Sequence, residues 1–196
     1  MGEDFKRRKE FEEIALGHIN PLYNMAVRLV FNKEEAEDLV QETYLKAYRF
    51  FDTFQKGTNV KAWLYKILRN SFINKYRKAV NTPGETGYED IESLNINFAN
   101  KQENREDLID SLENKYNDLD NLMVDDDVKH AIDSLPLEYR EVILYSDVEE
   151  LSYKDIAEIT NVPIGTVKSR LNRGRKLLQK SLWEYAKDRG FIKRGK

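Results

Sequence analysis

The stretch from Leu151 to Leu178 constrains the fold most, because its pattern predicts two short helices joined by a tight turn. Ser152 followed by Asp155 is a capping-box-like helix start. Asn161 and Pro163 then break the helix, since asparagine tolerates turn conformations and proline disfavours a helical residue before it. This layout is typical of a helix-turn-helix, which places its second helix in the major groove of DNA.

The second predicted helix has two distinct faces at about 100° per residue. Its inward arc is apolar or small and comprises Val167, Leu171, Gly174 and Leu178. Its outward arc can hydrogen-bond bases or phosphates and comprises Lys168, Ser169, Asn172, Arg173 and Lys176. Arg170 and Arg175 lie on the flanks, where phosphates would be, and Gly174 is expected to let the first helix of the motif pack closely. The alternative interpretation is an ordinary surface helix with a solvated basic face.

The distribution of charge divides the chain into three parts. Its 196 residues carry a net charge of -3, and this length fits one large or two small domains. Residues 1–82 sum to +4, residues 83–127 to -11, and residues 128–196 to +4. We therefore predict two mildly basic domains, 1–82 and 128–196, joined by an acidic linker over 83–127.

The periodicity of the apolar residues is helical in both domains, so the predicted fold class is all-α, with two small helical domains. One helix is expected from Phe5 to about Leu29, with a break near Pro21. A second begins at Asn32, whose side chain is followed by Glu35 at the third helical position. A third covers about Val60 to Arg77. In the second domain, Asp127 is the expected cap of a helix, and Pro136 ends that helix or starts the next one at its first position.

Several function classes find no support in the composition. The sequence has no apolar run long enough to cross a membrane, no secretory h-region and no cysteine, which fits a cytoplasmic chain. His18 and His130 lack metal-ligand spacing, and no Gly-rich phosphate loop is present, so we expect no metal, no cofactor and no catalytic residue. A metal-dependent nuclease using Asp125, Asp126 and Asp127 is the enzyme alternative, but three consecutive acids point in different directions around a helix.

The segment from Lys46 to Lys78 combines nine basic residues and one acid with interleaved aromatics. A positive surface with aromatic stacking partners is how proteins hold unpaired strands, at roughly 1–3 kcal/mol per stacked base. Core packing is at least as good an interpretation for Tyr48, Phe51, Trp63 and Phe72. The better surface candidates are the loop over 52–59 and the polar residues Lys61, Arg69, Asn70, Asn74 and Arg77.

Two runs of this sequence resemble a known family. The run DLVQETYLKAYRFFDTFQKGTNVKAWLYKILRNSFINKYRK is similar to region 2 of extracytoplasmic-function (ECF, group 4) RNA polymerase sigma factors, in the sigma-70 family. The run HAIDSLPLEYREVILYSDVEELSYKDIAEITNVPIGTVKSRLNRGRKLL is similar to region 4 of the same family. Nothing in the chain resembles the extra N-terminal region or region 3 of primary sigma factors.

The resemblance implies a role for each matching residue. Asp38, Gln41 and Glu42 match a DxxQE pattern that docks on the clamp helices of the polymerase beta-prime subunit. The loop from Phe54 to Asn59, with Lys56, matches the loop that captures a flipped base of the -10 element. Asn70, Ser71 and Asn74 match positions that line that base pocket. With them, the expected contacts to the -10 element are Lys61, Trp63, Arg69 and Arg77. Lys168, Ser169, Asn172 and Arg173 match positions that read the -35 element. The helical geometry adds Lys176 on the outward face, and Arg170 and Arg175 on its flanks, as expected contacts to the same element.

The function implied by the resemblance is promoter-specific transcription initiation with core RNA polymerase, and no enzymatic activity of the chain alone. The implied partners are the beta-prime clamp helices, the beta flap, promoter DNA and an anti-sigma protein, with no membrane insertion. The binding-class alternative is a free-standing helix-turn-helix regulator. Two interpretations of the unusually acidic linker stay open, a nucleic-acid mimic inside the polymerase and a solvated spacer.

Overall fold

The computed structural model describes residues 2–80 and 126–188, and all regular structure within these ranges is helical. The first lobe contains α1 (Gly2–Ala15), α2 (Ile19–Val30), α3 (Lys33–Arg49) and α4 (Val60–Val80), with short 3-10 turns at Leu16–His18 and Phe51–Thr53. The second lobe contains α5 (Asp126–Asp133), α6 (Leu137–Ile143), a π-helical turn (Leu144–Val148), α7 (Tyr153–Thr160), α8 (Ile164–Ser181) and α9 (Trp183–Asp188). The all-α prediction is confirmed for the described residues.

The predicted helix starts at Asn32 and Ser152 are confirmed by their side-chain hydrogen bonds. The Asn32 Oδ1 atom accepts from the backbone N–H of Glu35 at 3.0 Å. The Ser152 hydroxyl accepts from the N–H of Asp155 at 3.1 Å and donates to its carboxylate at 2.9 Å. Each cap satisfies a backbone donor that the first helical turn leaves without a partner. At the other end of α7, Asn161 adopts the left-handed conformation, with φ 52°, as its place in the turn predicts.

Other predicted boundaries are wrong. The first helix breaks at Leu16–His18 rather than at Pro21, which lies in the first turn of α2. Proline is tolerated there because the first four N–H groups of a helix have no helical partner. Helix α5 begins at Asp126, so Asp127 is not its cap, and Pro136 precedes the first residue of α6 as its N-cap.

The core of the first lobe is aromatic and fixes α3 against α1. The Phe11 ring makes edge contacts with the rings of Tyr44, Tyr48 and Phe51, at centroid distances of 5.2 to 6.3 Å. The Tyr44 hydroxyl donates to the carbonyl of Ala15 at 2.9 Å. Phe51 and Phe72 are buried, which confirms the core interpretation for both.

Gly174 makes the close approach that fixes α8 in the second lobe. An added Cβ at Gly174 would lie 2.7 Å from the Ile143 Cδ1 atom and 3.2 Å from the Tyr139 Cβ atom. The helix packed there is α6, so the expectation that Gly174 accommodates α7 is wrong. Val167 and Leu171 are buried on the same face, and the predicted inward arc of α8 is therefore confirmed.

The two lobes are in contact, with α4 packed along α7. The buried residues of both lobes belong to one continuous hydrophobic cluster. No helix in the described part of the chain is both long enough and apolar enough to span a membrane.

Candidate nucleic-acid interface

The outward face of α8 is open to solvent along its length. Its exposed members are Lys168, Ser169, Asn172, Arg173 and Lys176. The Ser169 hydroxyl donates to the Thr166 carbonyl at 2.9 Å. Tyr153, at the start of α7, lines a shallow groove together with Asn172 and Lys176. Long cationic side chains and an amide thus project from one face of a helix whose opposite face is fixed in the core.

The two flanking arginines of α8 are held by carboxylates of their own lobe. Arg170 lies 3.1 Å from Glu138 and 3.9 Å from Glu141, so its side chain turns toward α6. Arg175 donates two hydrogen bonds to Asp147, at 3.0 and 2.6 Å. These hydrogen bonds raise the pKa of Arg175 and lower the pKa of Asp147. Both arginines therefore support the position of α8, and a phosphate contact would compete with these ion pairs.

The loop before α4 is built around an aromatic pair. The Phe54 ring lies 4.9 Å from the Trp63 ring and is stacked on Phe51 at 6.3 Å. Both Phe54 and Trp63 are half-buried. Gly57 turns the loop with a φ of 89°, a conformation that glycine adopts without strain. The exposed Lys56 at the loop tip pairs with Glu10 of α1.

Three of the predicted DNA-contacting residues at the start and middle of α4 are paired with the second lobe. Asn59 caps α4 through its Oδ1 atom and donates from Nδ2 to Asp155 at 3.2 Å. Lys61 lies 2.8 Å from the Glu149 carboxylate. Arg69 donates two hydrogen bonds to Glu141, at 2.7 and 3.1 Å.

The remaining candidates on α4 differ in accessibility. Asn74 is exposed and Asn70 is half-buried, so both can reach a ligand. Ser71 is 1% exposed and accepts a hydrogen bond from Lys46 at 2.9 Å. In this arrangement Ser71 packs in the helix interface and is held by Lys46, and its place in the lining of a base pocket stays a prediction. The side chain of Arg77 lies outside the described residues.

The predicted polymerase-docking residues share one face of α3. Asp38, Gln41 and Glu42 are spaced by three and four positions, which places them on adjacent turns of the same side. Asp38 is exposed, while Gln41 and Glu42 are half-buried. Glu42 pairs with Lys46 at 2.6 Å and with Lys75 at 3.5 Å. The face thus combines an exposed carboxylate, Asp38, with Glu42, which is held by Lys46 of α3 and Lys75 of α4.

The nuclease alternative gains no support. Asp125 and the side chains of Asp126 and Asp127 lie outside the described residues. Over residues 2–80 and 126–188, no group of three or more His, Cys, Asp or Glu residues could hold a metal ion. His18 and His130 are far apart in sequence; His18 is half-buried beside Lys61 and Glu149, and burial and the Lys61 charge lower its pKa.

Sequence patterns did not identify the carboxylates that pair with α4. Glu141 and Glu149 are almost completely buried, with side chains 3% and 9% exposed. Burial opposes the charge of Arg69, but the hydrogen bonds and ion pair with Glu141 outweigh it and raise its pKa. No local pattern could have revealed these partners, because Arg69 and Glu141 are 72 positions apart.

Two family models match the chain over most of its described length. The sigma-70 region 2 model matches residues 15–82, and the sigma-70 region 4 model matches residues 125–178. Together they cover more than half of the chain, and the two matches follow the order of the two lobes.

Curated relatives agree with these matches. The ECF RNA polymerase sigma factor SigE of Mycolicibacterium smegmatis is 32% identical over 178 residues, which is 91% of this chain and 63% of that protein. The ECF RNA polymerase sigma factor SigW of Bacillus subtilis is 32% identical over 182 residues, which is 88% of each chain.

A solved structure supports the same assignment. The sigma factor RpoE of Bartonella quintana, in complex with the anti-sigma factor NepR, aligns with a TM-score of 0.63 and 32% identity, over 89% of this chain and 97% of that chain. The helical fold, the two family models and the relatives point to one family. This chain belongs to the sigma-70 family and is an ECF-type RNA polymerase sigma factor.

Proposed function

We propose that this chain binds core RNA polymerase and directs it to promoters, with α8 contacting the -35 element and α4 and its preceding loop contacting the -10 element. The polymerase supplies the chemistry, and the chain supplies promoter choice and helps to open the duplex. The cytoplasm, where the polymerase acts, is the expected location.

The outward face of α8 carries this proposal. It presents exposed hydrogen-bonding side chains on a helix whose other face is buried through Val167, Leu171 and Gly174. Arginine pairs by geometry with guanine and asparagine with adenine, so Arg173 and Asn172 are suited to base edges in the major groove. Lys168 and Lys176 are suited to the flanking phosphates.

The Phe54–Trp63 pair supports a -10 site on the first lobe. Partly exposed aromatic rings beside an exposed loop offer stacking surfaces for an extruded base. Extrusion costs only a few kcal/mol, which stacking and polymerase contacts can offset. The amide side chains of Asn70 and Asn74 lie on the same helix as Trp63 and would hydrogen-bond the extruded base or its neighbours.

Asp38, Gln41 and Glu42 form the proposed polymerase-docking face on α3. The neighbour RpoE was solved with an anti-sigma factor, and this supports the proposal that an anti-sigma protein also controls this chain.

Run-off transcription in vitro tests the proposed function. We expect specific transcripts from a subset of fragments of the source genome only when the chain and core polymerase are both present. An Asp38→Lys variant should bind core polymerase more weakly, whereas Lys9→Ala, on the exposed side of α1, should not. Absence of any specific transcript would contradict the proposal, and tight sequence-specific duplex binding by the chain alone would favour a free-standing regulator.

A further inference from the structure

Helix α1 holds the turn that leads from α3 into the loop over 52–59. The Arg7 guanidinium donates from Nη2 to the Tyr48 carbonyl at 2.8 Å and to the Arg49 carbonyl at 3.4 Å. The same side chain donates from Nε to the Asp52 carboxylate at 2.9 Å. One side chain of α1 therefore joins the last turn of α3 to the start of the loop.

The end of a helix is a favourable place for an arginine side chain. The last four carbonyl groups of a helix have no N–H partner from a later turn, and the C-terminal end of the helix dipole is negative. Arg7 supplies donors and a positive charge there, and its guanidinium carbon lies 4.6 Å from the centre of the Tyr48 ring. A lysine has the charge but not the planar fork that reaches a carboxylate and a carbonyl together. The contact thus fixes the direction of the chain where α3 ends.

An aromatic row connects this position to the residues assigned to the -10 element. Phe11, four positions after Arg7 on the same side of α1, meets Phe51 edge-on at 5.3 Å. Phe51 is stacked on Phe54 at 6.3 Å, and the Phe54 ring lies 4.9 Å from the Trp63 ring. The first two rings of this row are buried and the last two are half-buried. A shift of α1 or of the end of α3 therefore moves the two rings that an extruded base would meet.

A second ion pair joins α1 to the tip of the same loop. Glu10 pairs with Lys56, whose side chain is 70% exposed. An exposed pair of this kind contributes little stability, so the contacts of Arg7, whose side chain is 26% exposed, are the stronger attachment. Helix α1 therefore contacts the loop both where the loop begins and at its tip.

We propose that Arg7 is a positioning residue for base capture. It fixes the end of α3 and the 3-10 turn that follows, and so sets the place of the Phe54 and Trp63 rings without touching DNA itself. The proposal rests on the assignment of this loop to the -10 element. It follows that discrimination between a base and no base depends on Arg7, whereas the attraction of the lobe for the DNA backbone does not.

Strand binding by the complex of the full chain with core polymerase tests this role. The probe is a fluorescein-labelled non-template strand of about 12 nucleotides, taken from the -10 region of a promoter found by run-off transcription. A second probe carries an abasic site at the position where the parent complex discriminates most strongly, and we expect it to bind about tenfold more weakly because stacking is lost. Arg7→Gln should reduce this ratio to about twofold, with unchanged affinity for the abasic strand and for core polymerase.

Further variants separate positioning from a simple effect of charge. Lys9→Gln removes the same charge from α1 and is the matched control, because Lys9 is exposed and pairs with Glu13 of its own helix; it should keep the parental ratio. Asp52→Asn breaks only the ion pair and should lower the ratio less than Arg7→Gln does. Asp52→Asn should add nothing to Arg7→Gln, because both changes break one contact. Arg7→Lys, which keeps the charge but not the fork, should lower the ratio as well.

Tryptophan fluorescence gives a result that needs no DNA. The chain has two tryptophans, so Trp183→Phe leaves Trp63 as the only one. In that background we expect acrylamide to quench Trp63 more strongly after Arg7→Gln, because the neighbouring Phe54 ring covers it less closely. Lys9→Gln should leave the quenching unchanged. Circular dichroism and urea unfolding confirm that each variant is folded.

Two results would overturn the proposal. One is an equal loss of affinity for the intact and the abasic strand in Arg7→Gln, which would identify Arg7 as a phosphate contact. The other is an unchanged ratio together with unchanged quenching in Arg7→Gln. A parent complex that binds both strands equally would instead contradict the proposed function, and the quenching result would then still decide whether Arg7 holds the loop.

Discussion

Arg69 of α4 and Glu141 of α6 form a two-bond ion pair between the lobes, at 2.7 and 3.1 Å. Removal of one partner from a buried pair costs about 3–5 kcal/mol when the other charge stays buried. Separation of the lobes would let water reach Arg69, so the cost of losing Glu141 cannot exceed the free energy of docking.

Glu141→Ala should therefore weaken docking more than it weakens either lobe. We expect the parent chain to unfold in one calorimetric transition, because one hydrophobic cluster spans both lobes. The variant should unfold in two separate transitions, as domains do when their interface is lost. A single transition at a much lower temperature would indicate instead that Glu141 stabilises the second lobe itself.

Gly174→Ala should destabilise the second lobe although alanine favours helices. The new Cβ would approach Ile143 to 2.7 Å and Tyr139 to 3.2 Å. Overpacking of this kind costs about 1–3 kcal/mol, which exceeds the gain of about 1 kcal/mol in helix propensity. Urea unfolding measures the difference.

Gly165→Ala is the matched control in the same helix, because an added Cβ at Gly165 would meet no atom of the described residues within 4 Å beyond its chain neighbours and its own helix backbone. We expect its unfolding midpoint to stay equal to that of the parent chain or to rise. If the unfolding midpoint rises by the same amount in Gly165→Ala and in Gly174→Ala, the contact between α8 and α6 relaxes without a loss of stability.

Arg173→Ala and Arg175→Ala should have different effects despite their proximity. Loss of Arg173, which is exposed on the outward face, should cost about 1–3 kcal/mol at one base position of the -35 element. Loss of Arg175 should instead lower the stability of the second lobe, because it breaks two hydrogen bonds to Asp147.

Run-off transcription on a set of promoters with single -35 changes separates the two effects. The Arg173→Ala penalty should vanish on the promoter that already lacks its preferred base. An equal penalty on every promoter would identify Arg173 as a phosphate contact.

His18 should make the folded chain less stable as the pH falls. Burial and the nearby Lys61 lower the pKa of His18 below its ordinary 6.5, while Glu149 opposes the shift. In the unfolded chain the imidazole takes up a proton near pH 6.5 that the folded chain binds less readily. The stability that the neutral His18 side chain contributes is therefore fully present above pH 6.5. It is lost as the pH falls below 6.5 and through the lowered pKa of the folded chain.

Unfolding free energies of His18→Gln at a series of pH values measure this contribution. The variant should lose less stability than the parent chain between pH 7.5 and about 5. An identical pH dependence in the variant and the parent chain would exclude His18 as its source.

The elements that could be predicted from sequence depend on near neighbours in the chain. Asn32 and Ser152 cap their helices through residues three positions away, and the inward arc of α8 follows from helical spacing alone. The partners of Arg175 and Arg69 could not be predicted, since they lie 28 and 72 positions away and depend on how the helices pack. Ser71 and Asn74 illustrate the same limit. Both side chains are polar, and only the packing of α4 determines that Ser71 is buried while Asn74 is exposed.

The contact between Tyr65 and Tyr145 gives this protein an intrinsic optical signal. Burial raises the pKa of both phenols, and Glu149 beside Tyr65 and Glu141 beside Tyr145 raise them further. Phenolate formation changes the near-ultraviolet absorbance of tyrosine, and the raised pKa of these two side chains moves their part of that change to more alkaline pH. Unlabelled protein therefore carries a built-in reporter whose response changes as soon as water enters between the rings.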